Sequence, residues 1–188
     1  MRAAGKKKKK KNCNKGGLEQ NSMPAILLMG VCGVGKSSVG EALSAATAAR
    51  FFDADVFHPQ ENKEKMRAGI PLTDEDRQPW LASIAQKMRE QAGAPCIFSC
   101  SALKRGYRDF LRSSVHPLHP TLVLLLASKE TLLERLAARP GHFFNPSLLQ
   151  SQIDTLEQPE EAEKIITLDC TNMSVAEVVE KLVEHLRD

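Results

Sequence analysis

Residues 30–37 have the sequence Gly30-Val31-Cys32-Gly33-Val34-Gly35-Lys36-Ser37. This segment fits the pattern G-x-x-x-x-G-K-[S/T], in which backbone N–H groups of a glycine-rich loop cradle phosphate oxygens. An apolar run at residues 25–29 predicts a buried strand before the loop, and residues 37–49, rich in Ala, Leu and Glu, predict a helix after it. Strand, loop and helix in this order are the context that a phosphate-binding loop requires.

The residue types in this loop predict how a nucleotide is held. We expect Lys36 to reach the β- and γ-phosphates and the Ser37 hydroxyl to ligate Mg²⁺. The N-terminus of the following helix adds partial positive charge. The same position can lower the pKa of a thiol, so a redox-sensitive Cys32 is a further hypothesis. The ATP-binding candidates in this segment are Gly30, Val31, Cys32, Gly33, Val34, Gly35, Lys36, Ser37 and Ser38.

The rest of the chain alternates strand-like and helical patterns. Helices with one apolar face are predicted at residues 78–91, 129–138 and 175–186, and Ser174 with Glu177 forms a capping box for the last of them. Strands are predicted at residues 25–29, 50–53, 96–100, 121–126 and 165–168. The alternation predicts an α/β fold with a parallel sheet.

The domain organisation follows from composition and from the lengths of the connections. Residues 24–188 are predicted to form one domain, with a substrate cap at about residues 56–80 and a lid at about residues 135–150. Residues 1–23 carry a net charge of +7 within a chain of net charge +3, so the domain itself is mildly acidic. This basic segment has almost no apolar residues and is predicted to be disordered. Its six lysines at residues 6–11 are typical of a nuclear-localisation or nucleic-acid-binding patch, but nothing else in the chain suggests nucleic acid, which favours a solvated extension.

Composition also restricts the location of the protein. Five cysteines without a close C-x-x-C spacing are typical of a reduced, intracellular protein without a disulfide framework or a zinc site. No apolar run approaches the length of a membrane span, and the N-terminus lacks the apolar core of a secretory signal. We therefore expect a cytoplasmic protein with no membrane association.

Two carboxylates follow the second predicted strand, in Asp53-Ala54-Asp55. The carboxyl ends of parallel strands face the ligand crevice. Because side chains alternate along a strand, Asp53 and Asp55 are expected to point the same way. One carboxylate beside a phosphate loop can hold the hydration shell of Mg²⁺, and the other can accept a proton from a substrate hydroxyl.

Two arginines are predicted to lie on one face of the helix at residues 129–138 and its continuation. Arg135 and Arg139 are four residues apart, and guanidinium groups pair with phosphate oxygens or stack on an adenine ring. The strand at residues 121–126 does not end in an acidic residue, and the chain lacks an N-K-x-D motif. Both features argue against a switch-type GTPase and favour Asp53 as the residue that orders Mg²⁺.

Several longer blocks are similar to the gluconokinases. The resemblance covers residues 24–188, with Cys32 at a loop position where that family usually has serine. The blocks are Asp53-Ala54-Asp55-Val56-Phe57-His58-Pro59, residues 69–81 (GIPLTDEDRQPWL), Cys100-Ser101-Ala102-Leu103-Lys104, Gly141-His142-Phe143 and Gln150-Ser151-Gln152. The resemblance implies a P-loop NTPase fold like that of nucleoside monophosphate kinases, with a five-stranded parallel sheet of order 2-3-1-4-5 flanked by helices and with a helical lid. It also implies ATP-dependent phosphorylation of D-gluconate to 6-phosphogluconate, which feeds the pentose phosphate pathway, with Mg²⁺ as cofactor and a homodimeric assembly.

The resemblance also implies roles for individual residues. Asp55 is expected to contact the 6-hydroxyl of gluconate as base or orienting group, and Arg77 is a candidate partner for the gluconate carboxylate. Trp80 and Tyr107 are expected to pack under the cap. The catalytic candidates are Lys36, Asp55 and Arg139; the substrate-binding candidates are Asp55, His58, Arg77, Lys104, Arg108 and His142; the metal candidates are Ser37 and Asp53; and Arg135 and Arg139 complete the nucleotide site.

Two other functions remain open at this point. Another small-metabolite kinase of the same fold, such as a shikimate kinase, would use the same phosphate loop but would not need His58-Pro59 or Pro79-Trp80. A non-enzymatic nucleic-acid adaptor would depend on the lysine-rich segment at residues 1–23, and its affinity would fall steeply with salt.

Overall fold

A computed structural model of the protein describes residues 25–138 and 148–187. The strands pair only in parallel, and their order in the sheet is β2-β3-β1-β4-β5. This confirms the predicted five-stranded parallel sheet of order 2-3-1-4-5. The strands are β1 (Ile26–Met29), β2 (Arg50–Asp53), β3 (Cys96–Ser99), β4 (Thr121–Leu126) and β5 (Ile166–Asp169).

Helices flank the sheet. The helices are α1 (Lys36–Thr47), α2 (Gln60–Arg67), α3 (Asp74–Glu90), α4 (Arg105–Ser114), α5 (Lys129–Ala137), α6 (Leu148–Thr155) and α7 (Val175–His185), and two 3₁₀ turns cover Ala54–Phe57 and Glu161–Glu163. The capping box predicted from Ser174 and Glu177 is present at the start of α7. The helices α2, α4 and α6 were not predicted, and α3 begins four residues earlier than expected, at a capping box formed by Thr73 and Asp76.

The core has two layers, one on each face of the sheet. Alternate residues of β1 divide between them: Ile26 and Leu28 pack in the layer with α1 and α7, whereas Leu27 and Met29 pack in the layer with α3 and α4. Residues of β1 and β4 form continuous apolar runs because both faces of these central strands are covered. The sheet thereby places the carboxyl ends of β1, β2 and β3 side by side.

Gly40 allows α1 to lie directly against β2. A Cβ atom at this position would lie 2.2 Å from the Phe51 ring, so any side chain would force the ring or the helix to move. The close contact fixes the first turn of α1, and therefore the phosphate loop, relative to the end of β2.

Three predictions fall on residues outside the described ranges and stay predictions. They concern the basic segment at residues 1–23, the residues Arg139 and His142, and most of the lid. Within the described ranges, no helix is both long enough and apolar enough to cross a bilayer.

Candidate active site

The phosphate loop leaves β1 and turns sharply into α1. Gly30 has a φ of 132°, and a Cβ atom there would lie 2.4 Å from the backbone oxygen of Leu125 in β4. Gly35 has a φ of 101° and precedes the first residue of α1. Lys36 Nζ donates hydrogen bonds to the carbonyl oxygens of Gly30 (2.9 Å) and Val31 (3.0 Å), which keeps the ammonium group over the loop.

Asp53, the last residue of β2, contacts the phosphate loop. Its Oδ2 accepts a 2.7 Å hydrogen bond from the Ser37 hydroxyl, and its Oδ1 accepts from Ser99 Oγ (3.1 Å) and from the Asp55 N–H (3.0 Å). The pair of Ser37 and Asp53 supplies hard oxygen donors beside the phosphate cradle. Such a set suits Mg²⁺, which binds through one or two protein oxygens together with substrate phosphates and water.

Asp55 lies in a turn and not in the strand, so the alternation argument for this residue is wrong. The strand ends at Asp53, and the 3₁₀ turn Ala54–Phe57 follows at once. As a result the two carboxylates lie in different parts of the site. Asp53 bonds to the phosphate loop, and Asp55 lines the large cavity next to that loop.

A cavity of about 620 Å³ joins the phosphate loop to the segment predicted as the substrate cap. Its wall includes Lys36 and Ser37 at one end and Asp55, His58 and Arg77 at the other. Arg77 Nη1 donates to the carbonyl oxygens of Leu72 and Thr73, which holds the guanidinium group at the cavity wall.

His58 presents a neutral imidazole to this cavity. The ring is only 7% exposed, and its Nδ1 has no hydrogen-bond partner among the residues that the structure describes. Burial, followed by the charges of Lys63 and Arg77, lowers the pKa of His58 to about 4. At neutral pH the ring therefore carries no charge, and it suits a hydroxyl group better than a carboxylate.

Comparisons with known proteins give the family of this chain. A family model described as an AAA domain matches residues 26–143. A protein of Dictyostelium discoideum named "Probable gluconokinase" is 45% identical over 172 residues, which is 86% of this chain and 86% of the relative. The chain belongs to the gluconokinase family.

Solved structures agree with this membership. A gluconokinase from Sinorhizobium meliloti 1021 has a TM-score of 0.78 and 44% identity, and the match covers 90% of this chain and 94% of that one. A shikimate kinase from Aquifex aeolicus has a TM-score of 0.54 but only 18% identity, so it is similar in fold alone.

In this member of the gluconokinase family, Lys104 lies at the edge of the site and not in the cavity wall. Lys104 Nζ forms an ion pair with Asp74 (2.7 Å), and Tyr107 donates its hydroxyl hydrogen to the same carboxylate. These bonds hold the pKa of Asp74 below its ordinary value, and Asp74 in turn raises the pKa of Lys104. Because Arg77 also lies over the Tyr107 ring, the cluster connects Lys104 to the cavity.

Arg108 does not reach the site, so the prediction that it binds the substrate is wrong. The side chain is 2% exposed, and its Nε and Nη2 bond to both carboxylate oxygens of Glu163 at 2.7 and 2.8 Å. Its Nη1 donates to the carbonyl oxygens of Leu103 and Glu157. The guanidinium group is therefore bound inside the protein, where Glu163 supplies the counter-charge that a buried cation requires.

Arg135 reaches the nucleotide end of the cavity. It donates to the carbonyl oxygens of Val34 in the phosphate loop (3.2 Å) and Cys170 after β5 (2.8 Å). The helix α5 ends at Ala137, and Arg139 lies outside the described residues, so the placement of both arginines on one face stays a prediction.

Cys32 is not an activated thiol. Burial, the dominant effect, raises the pKa of Cys32 to about 11 and outweighs the opposing charge of Lys36. The side chain packs instead against Met66, Leu72 and Leu148, which form a small apolar cluster next to the cavity. The raised pKa and the apolar packing argue against the hypothesis of a redox-sensitive Cys32.

Two residues of the site were not assigned a role from sequence. Gln152 in α6 accepts a 2.7 Å hydrogen bond from the Cys32 N–H through Oε1, so it occupies a donor of the phosphate cradle. Ser101, after β3, lines the same cavity. Both residues belong to blocks that resemble the gluconokinases, and this resemblance was the one sequence signal that could have pointed to them. A lone Gln or Ser has no spacing pattern that identifies it as a site residue.

Proposed function

We propose that this protein transfers the γ-phosphoryl group of ATP to the 6-hydroxyl of D-gluconate. The observation that carries the proposal is a continuous cavity that joins the phosphate loop to Asp55, His58 and Arg77. The relatives of the chain support the choice of substrate, because those that cover most of its length are named gluconokinases.

The nucleotide occupies the end of the cavity that is lined by the phosphate loop. Lys36 and the loop N–H groups hold the β- and γ-phosphates, and Arg135 lies where it can contact the base or the phosphates. Ser37 and Asp53 hold Mg²⁺. When bound, Mg²⁺ neutralises the charge that develops on the phosphate oxygens.

The sugar acid occupies the other end. Asp55 orients the 6-hydroxyl toward the γ-phosphorus and accepts its proton as the hydroxyl oxygen bonds to phosphorus and the bond to the β–γ bridging oxygen breaks, which releases ADP. Arg77 supplies a positive charge for the gluconate carboxylate, and neutral His58 contacts a hydroxyl group. Since the transition state of phosphoryl transfer is loose, positioning matters more here than the strength of the base.

The experiment is an ATP-consumption assay with Mg²⁺ and a panel of acceptors: D-gluconate, other sugar acids, shikimate and nucleoside monophosphates. Turnover with gluconate is expected, and Asp55→Asn should lower kcat by about 100-fold or more while ATP binding persists. Turnover with a different acceptor would preserve the phosphate site and contradict the substrate. Deleting residues 1–23 should leave the kinase active, whereas a nucleic-acid adaptor would lose its function.

We also propose a homodimer in the cytoplasm, as the resemblance to the gluconokinases implies. Four cysteines of the described ranges, Cys32, Cys96, Cys100 and Cys170, are free thiols, which agrees with a reducing compartment. Sedimentation velocity at micromolar concentration tests the assembly, and a single monomeric species would contradict it.

A further inference from the structure

Trp80 forms a polar contact and a ring contact that packing alone does not require. The side chain lies in α3 and is 1% exposed. Its indole reaches across to the turn Ala54–Phe57 and to His58, which lie on the acceptor side of the cavity. Trp80 also lines that cavity.

The hydrogen bond of the Trp80 indole fixes the peptide unit between Ala54 and Asp55. Trp80 Nε1 donates a 2.8 Å hydrogen bond to the carbonyl oxygen of Ala54. The N–H of the same peptide unit, which belongs to Asp55, donates to Asp53 Oδ1 at 3.0 Å. Because the peptide bond is planar, bonds at both of its ends set the orientation of the whole unit and hence the direction in which the Asp55 side chain leaves the backbone.

The ring contact fixes the imidazole of His58. The centroids of the two rings are 4.1 Å apart, and the ring planes differ by 11°. This stacking holds the imidazole of a residue that lines the cavity, and its buried Nδ1 has no hydrogen-bond partner among the described residues. Trp80 therefore contacts both elements that present polar groups to the acceptor.

We propose that Trp80 is a positioning residue of phosphoryl transfer, which orients Asp55 through the Ala54 carbonyl and His58 through ring stacking. The proposal rests on the function proposed above, since it concerns the acceptor of that reaction. It assigns Trp80 no direct contact with the reacting atoms.

The first test is Trp80→Phe, which keeps an aromatic ring but removes the N–H donor. The expected result is a kcat for gluconate that falls by about tenfold to 100-fold, because small misplacements of a reacting group have effects of this size. The KM for ATP should be unchanged, since the indole bonds to Ala54 and stacks on His58, both at the acceptor side of the cavity. Ile84→Val is the matched control: Ile84 is fully buried in the same helix, and its loss of a methyl group should leave kcat unchanged.

A double-mutant cycle separates positioning from general destabilisation. If Trp80 acts through Asp55, Trp80→Phe should have little further effect on kcat in an Asp55→Asn background. Multiplicative effects of the two substitutions, or an unchanged kcat in Trp80→Phe, would overturn the proposal. If Trp80→Phe fails to fold, Trp80→His, which keeps a smaller ring with an N–H group, provides the second variant, and its kcat should exceed that of Trp80→Leu.

The fluorescence of the protein distinguishes failure of this proposal from failure of the proposed function. Trp80 is the only tryptophan in the chain, so its emission should change when D-gluconate binds. An active wild type with the expected emission change and an unaffected Trp80→Phe variant would overturn the positioning role alone. A wild type that neither phosphorylates gluconate nor changes its emission would overturn both.

Discussion

The hydroxyl of Ser37 donates a 2.7 Å hydrogen bond to Oδ2 of Asp53 and so connects the first turn of α1 to the end of β2. We expect Asp53→Asn to raise the Mg²⁺ concentration for half-maximal activity by about 10- to 100-fold, because groups that orient metal ligands have effects of this size. Activity measured against Mg²⁺ concentration at fixed ATP checks this.

The matched control for Asp53 is Asp169→Asn. Asp169 also ends a strand and also accepts a hydrogen bond from a neighbouring hydroxyl, that of Thr171, but it lies outside the cavity wall. Its variant should keep the wild-type Mg²⁺ dependence. An Asp53→Asn enzyme with that same dependence would show that Asp53 does not order the metal.

His58 should make the protein sensitive to acid. Its pKa is about 4 in the folded protein against 6.5 for an ordinary histidine. Between these values only the unfolded chain binds the proton, so the free energy of unfolding should fall as the pH is lowered from 6.5 to 4, by at most about 3 kcal/mol from this residue.

Urea denaturation at a series of pH values measures this effect. In His58→Asn the free energy of unfolding should change less with pH over that range. In His185→Asn, at an exposed position in α7, it should change as in the wild type. Equal slopes in wild type and His58→Asn would mean that the imidazole is already protonated or solvated in the folded state.

Breaking the buried ion pair of Arg108 and Glu163 should cost stability and not substrate affinity. Glu163→Gln would leave the guanidinium charge inside the protein without a counter-charge, at a cost of about 3 kcal/mol. For a chain of this length the melting temperature should fall by about 6–12 °C. The KM for gluconate should stay unchanged, and a large increase would return Arg108 to the substrate site. Glu161→Gln, exposed in the same 3₁₀ turn, is the control.

Gln152 should influence nucleotide affinity. Its Oε1 accepts from the Cys32 N–H, a donor that a phosphate oxygen would otherwise use. Gln152→Glu would place a negative charge at this point, and we expect ATP binding to weaken by about tenfold. Calorimetric titration with ATP checks this, with Gln150→Glu on the exposed side of α6 as control. Equal affinity in the two variants would contradict a role for Gln152 at the cradle.

The Cys32 thiol should react slowly. Raising its pKa from 9.0 to about 11 reduces the thiolate fraction at neutral pH about 100-fold. Alkylation by iodoacetamide, followed residue by residue with mass spectrometry, should therefore be about two orders of magnitude slower at Cys32 than at an ordinary cysteine. Rapid modification of Cys32 in the nucleotide-free protein would restore the redox hypothesis.

The sequence was sufficient for the phosphate loop and the strands because both leave local patterns. Central parallel strands are apolar without interruption, as in β4, and the loop needs glycine where φ is positive, as at Gly30. The bounds of β2 and β4 match the predicted residues, β1 and β3 are each one residue shorter at one end, and β5 is shifted by one residue.

Elements without a local pattern were missed. The helix α2 is polar apart from Met66, so it shows no apolar face. The helix α3 starts at Asp74 and contains Pro79, a residue type that usually stands in the first turn of a helix, so its start was predicted too late, at residue 78. The partner of Arg108 is 55 residues away in sequence, and no spacing rule connects an arginine to a glutamate at that distance. Only the folded chain distinguishes this buried cation from one that faces a ligand.

The contacts of Arg108 determine where this domain can be cut. The AAA-domain family model ends at residue 143, before β5 and before Glu163. A fragment that ended there would expose the edge of β4, a surface prone to pairing with other chains. It would also leave the charge of Arg108 buried without its partner Glu163. The end of the family match is therefore unsuitable as an expression boundary, and recombinant fragments of this enzyme need the residues after 143, about the last quarter of the chain, to remain monodisperse.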